Sequence, residues 1–368
     1  SERSSTPKAR PGVDRTVQPI GGLPRKFTPP MLQSRRLPNG LEVTVVEKRG
    51  VPAVSLALHV ATGGASDPSG LPGLANITAD MLQEGTENRT SNQISEEFEF
   101  IGTRLAIYAG REQTTLAVST LTREWPKALN LVGDLLMQPV FPDDELERVK
   151  NETINGLRRL QDDATSIANR EMAMLLYGVD SDYGHPIYGT ENSVGNISRD
   201  DLLAHFQNNF NPASTTLTVA GDVSLEEAVQ IAEATFGRWD ATSQLGSMSQ
   251  DSSQTEANIA RDKTMIYLLD KPGSVQSVIR AGILGLPRDD PDYFALIVFD
   301  HLFGGQFTAR LNMNLRQDKG YSYGYRSWIE WHKHSSAIMV GGSVQTEVTT
   351  PAVVETLKEI TEVVTSRL

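Results

Sequence analysis

The chain has no cysteine, so disulfides and thiolate metal sites are excluded. No stretch approaches the roughly 18 consecutive apolar residues that a membrane-spanning helix needs. Positive charge is scarce. With 34 Lys and Arg against 46 Asp and Glu, the formal net charge is −12, which argues against general nucleic-acid binding. Also missing are a Gly-x-Ser-x-Gly elbow, a catalytic Cys and a dinucleotide fingerprint. The pair Gly304-Gly305 is no phosphate loop, because no Lys-Ser/Thr follows it.

What remains is ordinary globular composition, 39% apolar and 22% charged, over 368 residues, enough for about two domains. The charge is uneven. Residues 1–30 hold six Lys/Arg against two Asp/Glu, a local +4 that leaves −16 on the remainder of a −12 chain. The same segment holds six of the 19 prolines and no apolar periodicity. It reads as an extended arm, taken as residues 1–34. The absence of Cys suits an exported bacterial protein, so the periplasm is favoured over the cytoplasm.

The chain resembles itself. Leu41–Gly63 and Met265–Gly285 each read as strand, charged turn, strand, and the turns Glu47–Gly50 and Asp270–Gly273 lie 223 positions apart. Ala117–Thr122 alternates like a strand before a helix opened by Pro126, as Ile338–Val344 does before one opened by Pro351, an offset of 225. A nearly constant offset indicates two copies of one domain. The first copy continues through helices at Asp143–Arg159, Ala164–Tyr177 and Asp200–Asn209, a strand at Thr215–Ala220 and an amphipathic helix at Leu225–Phe236. The second copy lacks that continuation, so roughly 70–90 residues of it are expected to be missing here. The Ser/Gln-rich stretch 241–258 reads as a linker between a first domain at 35–240 and a truncated second domain at 259–368. The expected class is α+β, each domain a largely antiparallel sheet with helices on one face.

The segment Gly73-Leu74-Ala75-Asn76-Ile77-Thr78-Ala79-Asp80-Met81-Leu82-Gln83-Glu84-Gly85-Thr86 resembles the zinc helix of the pitrilysin/insulysin family of inverted-zincin metallopeptidases. Active members carry His-x-x-Glu-His in that frame, the pattern of two zinc ligands and a general base. The resemblance puts Asn76 and Asp80 at the two histidine positions and Ala79 at the position of the base. Aligning Glu147–Asp163 with the family's third-ligand helix puts Gly156 at the third position, with Glu152 the only nearby carboxylate. All four groups are lost, and no metal is expected. An all-oxygen site from Asp80, Glu84 and Glu152 would suit calcium or magnesium, but a polar helix face is the better reading. The histidines do not replace the ligands. His59 falls in a strand, His205 in a helix, His301 at an apolar helix start and His185 in a loop. His332 and His334 are expected on one strand face, without a third ligand.

The second half resembles the family in Gly304–Leu311 and Leu315–Gly324. There the family places an Arg and a Tyr, seven residues apart, that bind the peptide backbone and the oxyanion at the zinc site. Arg316 and Tyr323 hold those positions, with Tyr321 a stand-in on the same face. The resemblance implies the non-zinc subunit of a heterodimeric peptidase, its partner carrying His-x-x-Glu-His and the zinc, with peptides as substrate. The alternative is an inert structural or peptide-binding pseudopeptidase, comparable to the family's respiratory core proteins, as a homodimer or within a larger assembly.

Overall fold

The computed structural model describes residues 22, 26–179, 181–240 and 263–365. The expected linker 241–258 and residues 1–21 and 23–25 of the expected arm lie outside the described residues. The chain divides into a unit at 1–31 and a unit at 32–368, and every regular element described lies in the second.

The first sheet is built from β1 (Gln33–Arg36), β2 (Glu42–Glu47), β3 (Ala53–Val60), β4 (Ala106–Ala109), β5 (Thr114–Leu121) and β6 (Thr215–Gly221). Between β3 and β4 come α1 (Leu74–Met81) and α2 (Ser91–Phe100). After β5 follow α3 (Trp125–Met137), α4 (Asp143–Asp162), α5 (Ala164–Tyr177), α6 (Glu191–Asn196) and α7 (Arg199–Asn209), and after β6 comes α8 (Leu225–Phe236). β1 starts at Gln33, inside the segment expected to be an arm, because Gln33 and Ser34 pair with Val45 and Thr44.

The strand order is β1-β2-β6-β3-β5-β4, and every neighbour is antiparallel except β2 and β6. Alternation decides which face is buried. In β3, Val54, Leu56, Leu58 and Val60 point into the core and join Val43, Val45, Leu217 and Val219. The apolar faces of α1, α3 and α8 close that core with Ile77, Leu129, Leu136, Ala232 and Phe236. The helices begin where local chemistry starts them. Thr90, Thr190, Ser198 and Ser224 each close a capping box, and Pro126 sits in the first turn of α3.

The second sheet has the order β7-β9-β8, from β7 (Gln276–Gly285), β8 (Ser322–Trp331) and β9 (Ser336–Gln345), all antiparallel. This repeats the order β3-β5-β4 of the first sheet, and the class is α+β as expected. One face of it buries Phe303, Leu311, Leu315, Tyr325 and Val340 with Ala352 of the last helix. On that side lie α9 (Tyr293–Asp300), the single turn α10 (Arg310–Asn312) and α11 (Thr349–Thr365). On the opposite face lies α5, where Arg280 Nε donates to Asn169 Oδ1 at 2.7 Å and a Cβ on Gly282 would meet Met172.

The repeat fails at one place. Met265–Asp270, expected as the counterpart of β2, forms no strand, and Ile266 and Leu268 are 77% and 90% exposed. The reason is non-local. β2 is held between β1 and β6, and no described strand stands in those places beside 265–270.

Leu58, fully buried in β3, tests the first core. Leu58→Ala is expected to lower stability by about 2–5 kcal/mol. The measurement is urea unfolding, where the midpoint falls while the slope is retained.

Candidate functional site

Two places carry the residues singled out by sequence, the α1 helix with its α4 neighbour and the turn-rich stretch from Gly304 to Tyr323. At the first, the chain enters α1 through Gly73 with φ +98, where a Cβ would meet the backbone of Gly189 at 3.0 Å. The half-buried Asp67 carboxylate accepts from the N–H groups of Gly73 and Ala75, both at 2.7 Å, which fixes the helix start. Burial pushes Asp67 up to about 6, against the pull of those N–H bonds.

The side chains that sequence aligned with metal-site positions have internal partners or none to offer. Asn76 Nδ2 donates to the carbonyl of Ile187 at 2.7 Å. Ala79 is buried against Ala75 and Ala109 and offers no proton acceptor. Asp80 is pushed up to about 6, first by burial and then by the nearby charges of Glu84 and Glu152. Gly156 lies within α4 and supplies no side chain. Glu84 is not on α1 as expected from i, i+4 spacing, because the helix ends at Met81 and tightens through Leu82 N–H to Ala79 O.

Asp80, Glu84 and Glu152 do come near one another, and a cation meets them. Arg148 of α4 bonds Glu84 at 2.6 Å, Glu145 at 2.6 Å and Glu152 at 3.0 Å. Ser91 Oγ donates to Glu84 as well. Sequence reasoning missed Arg148, although its position four residues before Glu152 was a signal for an i, i+4 pair. Among the described residues no three His, Cys, Asp or Glu side chains could hold a metal. Asn76, Ala79 and Gly156 offer neither an imidazole nor a carboxylate, a set of side chains that does not fit zinc.

The histidines do not converge. Buried His205 is lowered to about 4 by desolvation. His59 Nδ1 lies 3.2 Å from Thr115 Oγ1, and His185 Nε2 lies 2.7 Å from Gly64 O. His301 caps the end of α9 and is the first residue of the π-helical turn His301–Gly305. His332 and His334 share no strand face, because β8 stops at Trp331 and they sit in the turn before β9. His332 stacks on Tyr183 with centroids 4.4 Å apart.

The second place is irregular by construction. Two π-helical turns, His301–Gly305 and Met313–Asp318, flank α10, and such turns recur at functional sites. Gly304 is required for close approach, since a Cβ there would meet Ser327 N at 2.2 Å. The second π turn closes with Lys319 N–H to Asn314 O at 3.0 Å and Tyr321 N–H to Leu315 O at 2.9 Å. Arg316 sits in it, with its guanidinium carbon 4.3 Å from the Phe307 ring centroid. Among the described residues Arg316 has no ion pair, whereas its neighbours Arg310 and Lys319 are neutralised by Glu359, Glu362 and Glu355.

Tyr323 is 91% exposed. Tyr321 is not its equivalent, because Tyr321 packs on the second core. A bulge separates them from the regular ladder, between Ser322 and Tyr325. Ser322 Oγ holds it, donating to Ser343 O and accepting from Gly324 N. The bulge throws Tyr323 outward while Tyr325 turns in, fully buried. This stretch therefore presents an unneutralised guanidinium and an exposed phenol, two donors suited to a peptide carbonyl or to developing negative charge.

Among known families, the profile "Insulinase (Peptidase family M16)" matches residues 43–181 and the profile "Peptidase M16 inactive domain" matches residues 196–367. The chain is 23% identical over 312 residues to an uncharacterized zinc protease of Bacillus subtilis, YmxG, covering 85% of this chain and 73% of that one. It is 22% identical over 276 residues to the mitochondrial-processing peptidase subunit beta of Lentinula edodes, covering 75% and 58%. Its fold is that of the peptidase M16 inactive domain from Pseudomonas fluorescens, with a TM-score of 0.78 and 23% identity over 90% of this chain and 79% of that one.

Asp80 gives a pH test. Its pKa of about 6 in the fold lies above the ordinary 3.8. The native state therefore holds the proton more tightly, and stability falls as pH rises from about 4 to about 6. Asp67 is raised to the same range and gives a like fall, so Asp80→Asn is expected to make the fall shallower without abolishing it, and to exceed the unsubstituted chain in stability above pH 6. Urea unfolding of both proteins from pH 4 to 8 measures the difference.

Proposed function

The chain belongs to the M16 family of peptidases, and on that premise we propose that it is the non-zinc subunit of a heterodimeric zinc metallopeptidase. The observation that carries this reading is the contrast between the two places. The metal positions are filled by internal bonds and by the charge of Arg148, while Arg316 and Tyr323 keep free donors. In this reading the partner subunit carries His-x-x-Glu-His and the zinc. Arg316 and Tyr323 bind the backbone of a peptide held between the subunits and polarise its scissile carbonyl. Residues 35–240 and 259–368 act as the two halves of the subunit.

A permanent cation with an open fork of donors suits this task better than an exposed lysine, because its bonds are directional and its charge is not titrated. The phenol of Tyr323 donates without giving up its proton. Among the described residues no helix is long and apolar enough to cross a membrane. We place the assembly in the bacterial periplasm, in keeping with the lack of cysteine.

The test is co-purification followed by substitution. The chain is expected to bring down a homologous subunit bearing His-x-x-Glu-His, and the chain alone to hold no stoichiometric zinc. In the complex, Arg316→Ala is expected to lower cleavage of a quenched-fluorescent peptide at least about tenfold with the zinc content unchanged. An unchanged rate would leave the inert structural or peptide-binding reading standing instead.

A further inference from the structure

Resting on that reading, we propose that Phe307 is a positioning residue for Arg316, holding the guanidinium in the plane from which it meets a peptide carbonyl. A free arginine on a surface samples many rotamers, and fixing it on binding costs side-chain entropy. A guanidinium stacked on an aromatic face keeps its plane while all its N–H groups remain at the edge, available to a ligand. Arg316 lies over the Phe307 ring, its guanidinium carbon 4.3 Å from the centroid.

Phe307 needs such an explanation, because its ring is 58% exposed and adds nothing to the second core. Its backbone, by contrast, is held firmly. Asn312, only 3% exposed, donates from Nδ2 to the Phe307 carbonyl at 2.6 Å. The Oδ1 of Asn312 accepts from the N–H of Tyr325 at 3.2 Å. Tyr325 is itself anchored, its hydroxyl 2.8 Å from Thr356 Oγ1 on α11. One buried amide thus ties the Phe307 turn to the strand whose bulge carries Tyr323. The ring, the guanidinium and the phenol are placed by a single set of bonds. Arg310 and Lys319, on the same stretch, are drawn instead to the carboxylates of α11. Arg316 alone of the three is oriented by a ring and left without a counter-charge.

The experiment has two readouts. In the full chain, the Arg316 side-chain Nε–H resonance is expected to be shifted upfield by the ring current. Phe307→Leu abolishes the shift and Phe307→Trp keeps it. In the complex with the zinc-bearing subunit, Phe307→Leu is expected to lower kcat for a quenched-fluorescent peptide about two- to fivefold, the worth of an exposed cation–ring contact. KM should stay nearly constant, and Phe307→Trp should restore the rate. In the Arg316→Ala background, Phe307→Leu should have no further effect. A Phe307→Leu variant with full activity, where Arg316→Ala is impaired, overturns the positioning role and leaves the subunit reading intact. Equal losses from Phe307→Leu with and without Arg316 also overturn it. An unimpaired Arg316→Ala complex overturns both.

Discussion

The return of β6 to the middle of the first sheet is the constraint on which the rest depends. Thr215–Gly221 lies between β2 and β3, parallel to one and antiparallel to the other. Without it the sheet is two separate ribbons, and the core shared by Val45, Leu56, Leu58 and Val219 does not close. The helices between β5 and β6 are thereby folded back as one excursion. That excursion brings α4 beside the end of α1 and lays α5 over β7 of the second sheet. The place that resembles a zinc helix and the support of the second sheet are therefore both set by one seven-residue strand.

The carboxylates beside the end of α1 are met by a cation of the chain itself. A zinc ion would contribute two positive charges to a group of carboxylates, and here Arg148 contributes one by three ion pairs. Asp80 has no share in those pairs and meets its burial by holding a proton to higher pH. The helix retains its frame because the frame is packing: Leu74, Ile77 and Met81 point into the core whatever the polar face carries. Packing and chemistry occupy different faces of α1, so one persists without the other.

Much of this was legible in the sequence because it is local. The helices α5 and α8 were read with their observed ends, since Asp163 and Ser224 are caps recognisable from three residues downstream. The strand read at Thr215–Ala220 from its alternation runs one residue further, to Gly221. Met265–Asp270 was read as a strand from its match to the segment that holds β2, yet forms none, because pairing depends on neighbours far away in sequence. The four-residue β1 and β4 fell below any periodicity signal. The expectation that Tyr321 and Tyr323 share a face assumed a regular strand, and the bulge at Ser322 breaks it. The frame around Asn76, Ala79 and Asp80 is a local motif, which is why its resemblance to a zinc helix could be read at all. The partners that Glu84 and Asn76 meet there, Arg148 and the Ile187 carbonyl, are tertiary and could not be read.

The exposed run at Ile266 and Leu268, a few residues before β7, which among the described residues pairs on one side only, has a consequence for handling the protein. Free ladder groups beside apolar side chains are a template for strand addition between molecules. Refolding yield should then be limited by collisions between chains rather than by any step within one chain. Dilution, more than temperature or redox conditions, governs how much native protein is recovered.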